Sequence, residues 1–403
     1  MPTDSTSRPT CTLPLHSPDF YAGDPYPAYR ELRTTTPIVW NDVTNFWALT
    51  KYEDIRYVSG HPLTFTSTKG ITIPDPSQPE PVQEGNLIFT DPPRHRQLRK
   101  LINAGFTRRQ VTLLEPKVRE IVKGILDDVD PSREYEFAEE IAAPLPTRLI
   151  AEMLGAPPED WEQFRAWSDA AVGTADPDIE LDNVVALGQL YEYFTKLIEA
   201  RRSGEVVGDD LLSILAAAEV DGERLTDADL LNFSFLLLVA GNETTRNLIA
   251  LGTQALLDHP DQFALLRANP ELLPLAVEEM LRFTSPVTHM AREATEDVEI
   301  RGQQIRAGEK IVMLYGAANR DAEIFGPTSE EFDITRNPNP HIAFGAGEHA
   351  CLGAQLARLE ARIMFEVLLG TYPTIELTGD VTRLRATMVP GVKKMPVRLK
   401  ASV

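Results

Sequence analysis

Apolar residues recur at helical spacing along most of the chain. The longest such stretch begins at an N-cap signal, Thr226, and stops before Pro260, which predicts one helix of roughly 50 Å at 1.5 Å per residue. Residues 233–240 within it are apolar on every side, so we expect this part to be buried. Residues 110–220 predict a further series of amphipathic helices, which prolines interrupt.

Extended segments are short and lie towards the two ends of the chain. Residues 37–49 predict a hairpin, and residues 285–314 predict strands and turns. Two more strands are predicted at 374–377 and 395–399, whereas residues 1–20 predict an irregular arm. Because no linker, repeat or low-complexity block interrupts the 403 residues, we expect one domain that is mainly α with a small β region.

Composition narrows the class of protein. A net charge of −21 argues against nucleic acid or an anionic membrane as partner. The two cysteines, Cys11 and Cys351, lie far apart and do not suggest a disulfide framework. No apolar run approaches the roughly 20 residues that span a bilayer, and the first residues are too polar for a signal peptide. We therefore expect a soluble, cytoplasmic protein without membrane insertion.

The apolar pattern of the predicted central helix is interrupted at Gly241, Asn242, Glu243 and Thr244. A glycine inside a helix costs up to about 1 kcal/mol, and an unpaired buried carboxylate costs several. Glu243 could turn outward while Gly241 only permits close packing, or the group could be functional. Thr244 can donate to the carbonyl of Ala240 and bend the helix.

A second candidate site is the loop 344–353, FGAGEHACLG, which precedes an apolar helix pattern starting at Ala354. Cys351 is thus expected near a helix N-terminus, where the helix dipole favours a thiolate. The residues alone leave open a nucleophile, a metal ligand or a buried structural cysteine. Gly345, Gly347 and Ala350 also spell a G-x-G-x-x-A nucleotide-binding fingerprint, but a lone match of that kind is weak.

The loop resembles the cysteine-ligand loop of the cytochrome P-450 superfamily, F-G-x-G-x-(R/H)-x-C-x-G, at every specified position. Those positions are Phe344, Gly345, Gly347, His349, Cys351 and Gly353. Three further segments match the superfamily in its own order. They are the H-x-x-x-R pair His95 and Arg99, the (A/G)-G-x-(D/E)-T segment 240–244, and the E-x-x-R pair Glu279 and Arg282. Without the resemblance, His95 and Arg99 would be an ordinary solvated basic face.

The resemblance implies a P-450 fold that holds haem b between the central helix and the cysteine loop. It implies that Cys351 is the axial ligand and that Glu243 and Thr244 relay protons. The implied contacts of the haem are His95, Arg99, Arg292, His349, Phe344, Gly345, Gly353, Ala240 and Gly241. It also implies that Glu279, Arg282 and Arg336 form a buried structural triad.

The residues that line the substrate pocket are the ones that the sequence predicts least well. The irregular loop 64–90 and the segment 161–180 are the expected entrance and roof, and apolar residues beside the loop could equally anchor it to the core. The pocket candidates are Ile71, Ile73, Leu87, Ile88, Leu237, Val287, Met290 and Val392, together with Thr288 and Val389.

The function implied is that of a monooxygenase that inserts one oxygen atom of O2 into a C–H bond of a small lipophilic substrate. Scaffold segments look most like the branch that hydroxylates steroid side chains and methyl-branched lipids, while terpenoids and polyketides stay open. Electrons would come from an acidic ferredoxin with a separate reductase, which would dock on a monomer near the cations of segment 92–114. The alternatives are a nitric oxide reductase, a peroxide-driven peroxygenase and a non-catalytic haem-binding sensor.

Overall fold

The computed structural model describes residues 8–74, 85–172, 176–179, 181–220 and 222–401. The predicted entrance loop 64–90 and roof 161–180 therefore lie partly outside the described residues. Helices dominate, as the apolar spacing predicts. They are α1 Pro18–Ala22, α2 Tyr26–Thr35, α3 Tyr52–Gly60, α4 Arg94–Ile102, α5 Arg108–Leu113, α6 Glu115–Asp127, α7 Pro144–Met153, α8 Trp161–Val172, α9 Asn183–Arg202, α10 Leu211–Ala217, α11 Asp227–Asp258, α12 Pro260–Ala268, α13 Leu273–Thr284, α14 Tyr315–Ala318, α15 Ala322–Phe325 and α16 Ala354–Thr371.

The strands are short and form small sheets. They are β1 Thr10–Cys11, β2 Ile38–Asn41, β3 Phe46–Leu49, β4 Phe65–Thr66, β5 Tyr135–Glu136, β6 Glu219–Val220, β7 Glu223–Arg224, β8 His289–Ala294, β9 Val298–Ile300, β10 Gln303–Ile305, β11 Lys310–Leu314, β12 Thr374–Leu377, β13 Thr382–Arg383, β14 Val392–Lys394 and β15 Pro396–Lys400. The largest sheet has the order β1-β2-β3-β11-β8-β4. It confirms the hairpin predicted at 37–49, whose strands pair with Ile38 opposite Leu49.

The N-terminal arm was predicted to be irregular, and this is wrong for the described part. Thr10 and Cys11 pair in parallel with Trp40 and Asn41, and α1 follows. The pairing depends on a strand about thirty residues further along the chain, so the local sequence carries no signal for it.

Helix α11 is the centre of the fold and packs against α7, α8, α9, α13 and α16. Its start is fixed by a capping box: the Thr226 side chain accepts from the amide of Asp229, and the Asp229 side chain accepts in return. At Gly241 a Cβ atom would lie 2.6 Å from Cδ1 of Ile150 on α7. Glycine is therefore needed here for the close approach of two helices.

Helix α13 is tied to the segment before the cysteine loop by a fully buried carboxylate. Glu279 accepts from Nε and Nη2 of Arg282 at 2.8 and 2.7 Å and from Nε of Arg336 at 3.2 Å. Arg282 also donates to the carbonyls of Asn319 and Ser329. The three side chains predicted to form a triad are in direct contact and connect parts of the chain that lie more than fifty residues apart.

Among the described residues, no helix has both the length and the apolar character to cross a membrane.

Candidate cofactor cavity and active site

A cavity lies between the middle of α11 and the loop that leads into α16. Ala240 is exposed although it sits in the middle of the longest helix, because its methyl group faces this cavity. Cys351 is also exposed, yet protein surrounds it on the other sides and its surface opens into the same space. The two elements singled out in the sequence therefore face each other across one internal cavity.

The cysteine loop has a fixed shape. The amide of Cys351 donates to the carbonyl of Phe344 at 2.8 Å, and Gly345 and Gly347 have φ of 69° and 68°. A Cβ atom on Gly347 would lie 2.0 Å from the carbonyl oxygen of Ser59 at the end of α3. Glycine is therefore required at 347 both by its left-handed backbone and by this contact.

The surroundings of the thiol do not stabilise a free thiolate, in contrast to the expectation from the helix N-terminus. Burial is the largest effect and raises the pKa of Cys351, and a backbone hydrogen bond from Gly353 and the charges of Arg99 and Arg358 oppose it only in part. A coordinated metal ion deprotonates a thiol outright. The raised pKa argues against a free nucleophile, and the opening of the thiol into the cavity favours a metal ligand over a packed structural cysteine.

Four basic side chains line the cavity near the loop: His95, Arg99, Arg292 and His349. Arg292 donates to the carbonyl of Ala291 at 2.6 Å, and Arg99 donates to the carbonyl of Ala350 at 2.7 Å. Neither ring nitrogen of His95 has a hydrogen-bond partner in the described chain.

Burial is the first cause that lowers the pKa of all four groups. Among the described residues, the carboxylate that comes within 4 Å of this group is Glu348, with Oε2 3.9 Å from Nδ1 of His95. Buried cations are normally paired, so this group is short of anions.

A family model described as Cytochrome P450 matches residues 185–394. The chain belongs to the cytochrome P450 family. A methyl-branched lipid omega-hydroxylase of Mycobacterium tuberculosis is 38% identical to this P450 over 96% of the chain and 95% of the relative. A steroid C26-monooxygenase of the same organism is 40% identical over 94% of the chain and 95% of the relative. The protein is thus a cytochrome P450 monooxygenase, as its motifs predicted.

The fold agrees with solved P450 structures. A Mycobacterium marinum cytochrome P450 in complex with pseudoionone superposes with a TM-score of 0.87 at 37% identity, over 98% of this chain and all of that one. The predicted class, mainly α with a small β region in the P450 arrangement, is confirmed.

The cofactor of this P450 is haem b with a cysteine thiolate ligand, and the cavity residues fit it. The thiol of Cys351 opens into the cavity opposite Ala240. Two of the four basic groups, His95 and Arg292, are buried, and two propionates would supply the carboxylates that these groups lack among the described residues. Phe344, Gly345, Gly353 and Gly241 also line the cavity, as predicted.

The acid and the alcohol predicted on α11 have different surroundings. Oγ1 of Thr244 donates to the carbonyl of Ala240 at 2.6 Å, and Thr244 lines the cavity. Glu243 is buried but does not line the cavity. Its Oε2 instead lies 2.7 Å from Nη2 of Arg246, one turn along the helix.

Glu243 belongs to a charged cluster that the sequence prediction missed. Nη1 of Arg246 lies 3.1 Å from Asp169 of α8 and 3.4 Å from Glu139, and Arg165 pairs with the same two carboxylates. Three carboxyl groups thus surround two guanidinium groups. Burial, the largest cause, raises the pKa of Glu243, and the neighbouring carboxylates add to it against the opposing charge of Arg246. The i, i+3 spacing of Glu243 and Arg246 is the signal that could have revealed this pair.

Five of the eight predicted pocket residues line the cavity: Leu87, Ile88, Leu237, Val287 and Met290. Ile71, Ile73 and Val392 do not, and this part of the prediction is corrected. The carbonyl of Ile71 accepts from the amide of Ala291. Ile73 packs under the large sheet, and Val392 packs in the main core. The additional candidates Thr288 and Val389 are not among the described lining residues either.

Several lining residues were not predicted. Phe106, Ile150, Phe233 and Leu236 contribute apolar surface, and Thr245 and Glu360 contribute polar groups. They come from four separate elements, the turn after α4 together with α7, α11 and α16. In the sequence they look like ordinary core positions of amphipathic helices.

Proposed function

We propose that this P450 inserts one oxygen atom of O2 into a C–H bond of a small lipophilic substrate of the steroid or methyl-branched lipid class. The observation that carries the proposal is the position of Thr244 on a cavity with a largely apolar wall, directly beside the buried acid Glu243. The relatives named for steroid and branched-lipid hydroxylation support the substrate class.

When bound, the thiolate-ligated haem supplies the activation of dioxygen. We propose that Cys351 would supply its thiolate ligand and that His95, Arg99, Arg292 and His349 would hold its propionates. These charge-assisted hydrogen bonds would fix the orientation of the cofactor within the cavity. The Glu279–Arg282–Arg336 triad braces the segment that leads into the cysteine loop.

Protons reach the cavity, in this proposal, through the charged cluster. The side chains of Asp169 and Glu139 are 23% and 30% exposed, whereas that of Glu243 is 1% exposed. A proton from solvent can therefore pass to Glu243 when the contacts of Arg246 rearrange. Thr244, the next residue on α11, would hold the ordered water that carries the proton into the cavity.

Electrons are proposed to come from an acidic ferredoxin with its own reductase. The cations of segment 92–114 contribute less positive charge to the surface than the sequence indicates. Arg94 pairs with Asp229, Arg96 pairs with Glu348, and Arg99 faces the cavity. Arg108 and Arg109 at the start of α5 are exposed and would be the main steering charges.

Replacing Thr244 with alanine should uncouple the reaction: reductant consumption continues, but the product formed per reductant should fall by at least about tenfold, because a positioned proton-transfer group contributes about 10²–10⁴-fold. The measurement is hydroxylated product against NADPH consumed, with ferredoxin and reductase present. Thr253→Ala is the matched control, because Thr253 makes the same hydrogen bond to Ile249 on the same helix but does not line the cavity. Equal coupling in both variants would remove Thr244 from the relay. Failure of the wild-type haem protein to form any product would instead favour the sensor.

Apolar chain length should control affinity, because the lining contributed by α7 and α11 is mostly hydrocarbon. Each buried methylene group contributes about 0.8 kcal/mol, so two added methylenes should lower Kd roughly tenfold in a series of methyl-branched fatty esters. The low-spin to high-spin shift measures this binding, with neutral steroids titrated in parallel. An affinity that does not change with chain length would contradict the proposed substrate class.

A further inference from the structure

Glu360 is a buried carboxyl group that the mechanism above does not use. It lies on α16 and lines the haem cavity, and only 2% of the residue is exposed. Its Oε2 atom has no hydrogen-bond partner among the described residues. A buried polar atom without a partner is rare in folded proteins and requires an explanation.

Among the described residues, no charged neighbour compensates this carboxyl group. On α16, Arg358 pairs with Glu278 of α13, and Arg362 pairs with Glu115 of α6. Other charged groups of the helices packed against α16 also have partners or are exposed: Glu366 pairs with Arg119 of α6, Glu279 lies in the triad, Arg108 and Arg109 of α5 are exposed, and Glu243 pairs with Arg246 on α11. The α11 residues that line the same cavity are uncharged, among them Thr245 and Leu248.

Burial alone raises the pKa of Glu360 to about 8. The group is therefore neutral at pH 7, and ionisation would place an unpaired charge in the cavity. Glu360 is six residues from the start of α16, or roughly 9 Å along the helix axis. A charge added at the thiolate end of the cavity would act on this buried group at short range and through the low dielectric of the interior.

We propose that Glu360 is a redox-linked proton site, which takes up a proton from solvent when the haem in this cavity accepts an electron from an external one-electron donor. The added electron is then balanced by the added proton, and no bond other than the O–H bond of Glu360 forms. At a separation of roughly 10 Å and an effective dielectric constant of about 20, an extra negative charge should tighten proton binding about tenfold. This proposal requires bound haem, but it does not depend on the proposed substrate or on the proposed role of Thr244.

The test is the ferric/ferrous midpoint potential of the haem-loaded protein, measured by spectroelectrochemistry from pH 6 to 10. Below about pH 8 Glu360 is protonated in both redox states, so the potential should be constant. Above it the ionised carboxylate disfavours reduction, and the potential should fall by about 59 mV in total, the equivalent of a tenfold change in a one-electron equilibrium. In Glu360→Gln this fall should be absent.

Two matched variants separate Glu360 from other acids. Glu366→Gln changes an exposed carboxylate on the same helix, and Glu243→Gln changes the other buried acid with a raised pKa. Both should keep the fall in potential. A fall that persists in Glu360→Gln, or that disappears only in Glu243→Gln, would overturn the proposal.

An infrared measurement on the wild type covers the case in which Glu360→Gln does not take up haem. Electrochemical reduction near pH 8.5 should produce a carboxylic acid C=O band that shifts in D2O, because the protonated fraction of Glu360 rises on reduction. Absence of such a band would also refute proton uptake by this group.

Discussion

Replacing Cys351 with alanine should abolish the red-shifted thiolate Soret band of the reduced, carbon monoxide-bound protein and lower product formation to background. Of the two cysteines, Cys351 opens into the cavity and Cys11 does not, and the backbone of Cys351 is fixed by the hydrogen bond to Phe344. Without this sulfur, the loop 344–353 has no soft ligand for a metal ion. The measurement is the reduced, carbon monoxide difference spectrum together with a product assay.

Cys11→Ala is the control for this variant, since Cys11 lies in β1 at the edge of the large sheet. It should keep the band and the activity. Retention of the thiolate band in Cys351→Ala would show that the axial ligand has been assigned wrongly.

Replacing Glu279 with alanine should have the largest effect on stability. The change leaves the guanidinium groups of Arg282 and Arg336 buried without their carboxylate, and it also removes the acceptor for the amide of Asp333. Breaking a buried ion pair from one side costs about 3–5 kcal/mol, a large part of the roughly 5–15 kcal/mol that stabilises a typical domain. Urea unfolding of the purified protein measures the loss, and we expect reduced haem uptake during expression.

Glu376→Ala provides the comparison, because Glu376 pairs with Lys400 at the surface. An exposed pair contributes at most about 1 kcal/mol. If Glu279→Ala were as stable as Glu376→Ala, the triad would have no structural role.

The shapes of the cysteine loop and of the central helix were predictable because the signals for each are local in sequence. The cysteine loop is ten consecutive residues, and its shape depends on glycines at positions that require positive φ. The central helix has an N-cap at its start and a polar interruption at 241–244, and both features occur in the structure. Such signals need no knowledge of tertiary contacts.

The apolar lining of the cavity was predicted only in part, because it forms where elements that are distant in sequence meet. Phe106, Ile150 and Phe233 reach one cavity from three elements, and each has the spacing of an ordinary core residue. Ile71 and Ile73 lie in the irregular segment 64–90, which suggested a pocket. The carbonyl of Ile71 instead accepts a hydrogen bond from the amide of Ala291, and Ile73 packs below the large sheet, so both lie outside the cavity. Glu360 carries no sequence signal at all, since a single acid on an amphipathic helix is usually solvated.

Helix α11 has two functional faces. Ala240 and Thr244 face the cavity, while Glu243 and Arg246 face the carboxylates of Asp169 and Glu139. Ile150 of α7 packs against Gly241 and also lines the cavity. The apolar lining at Ile150, Phe233 and Leu236 contains neither Glu243 nor Arg246, so substitutions there can change the shape of the cavity without touching the charged cluster. A family that retains one reaction while diversifying its substrates needs this kind of modularity.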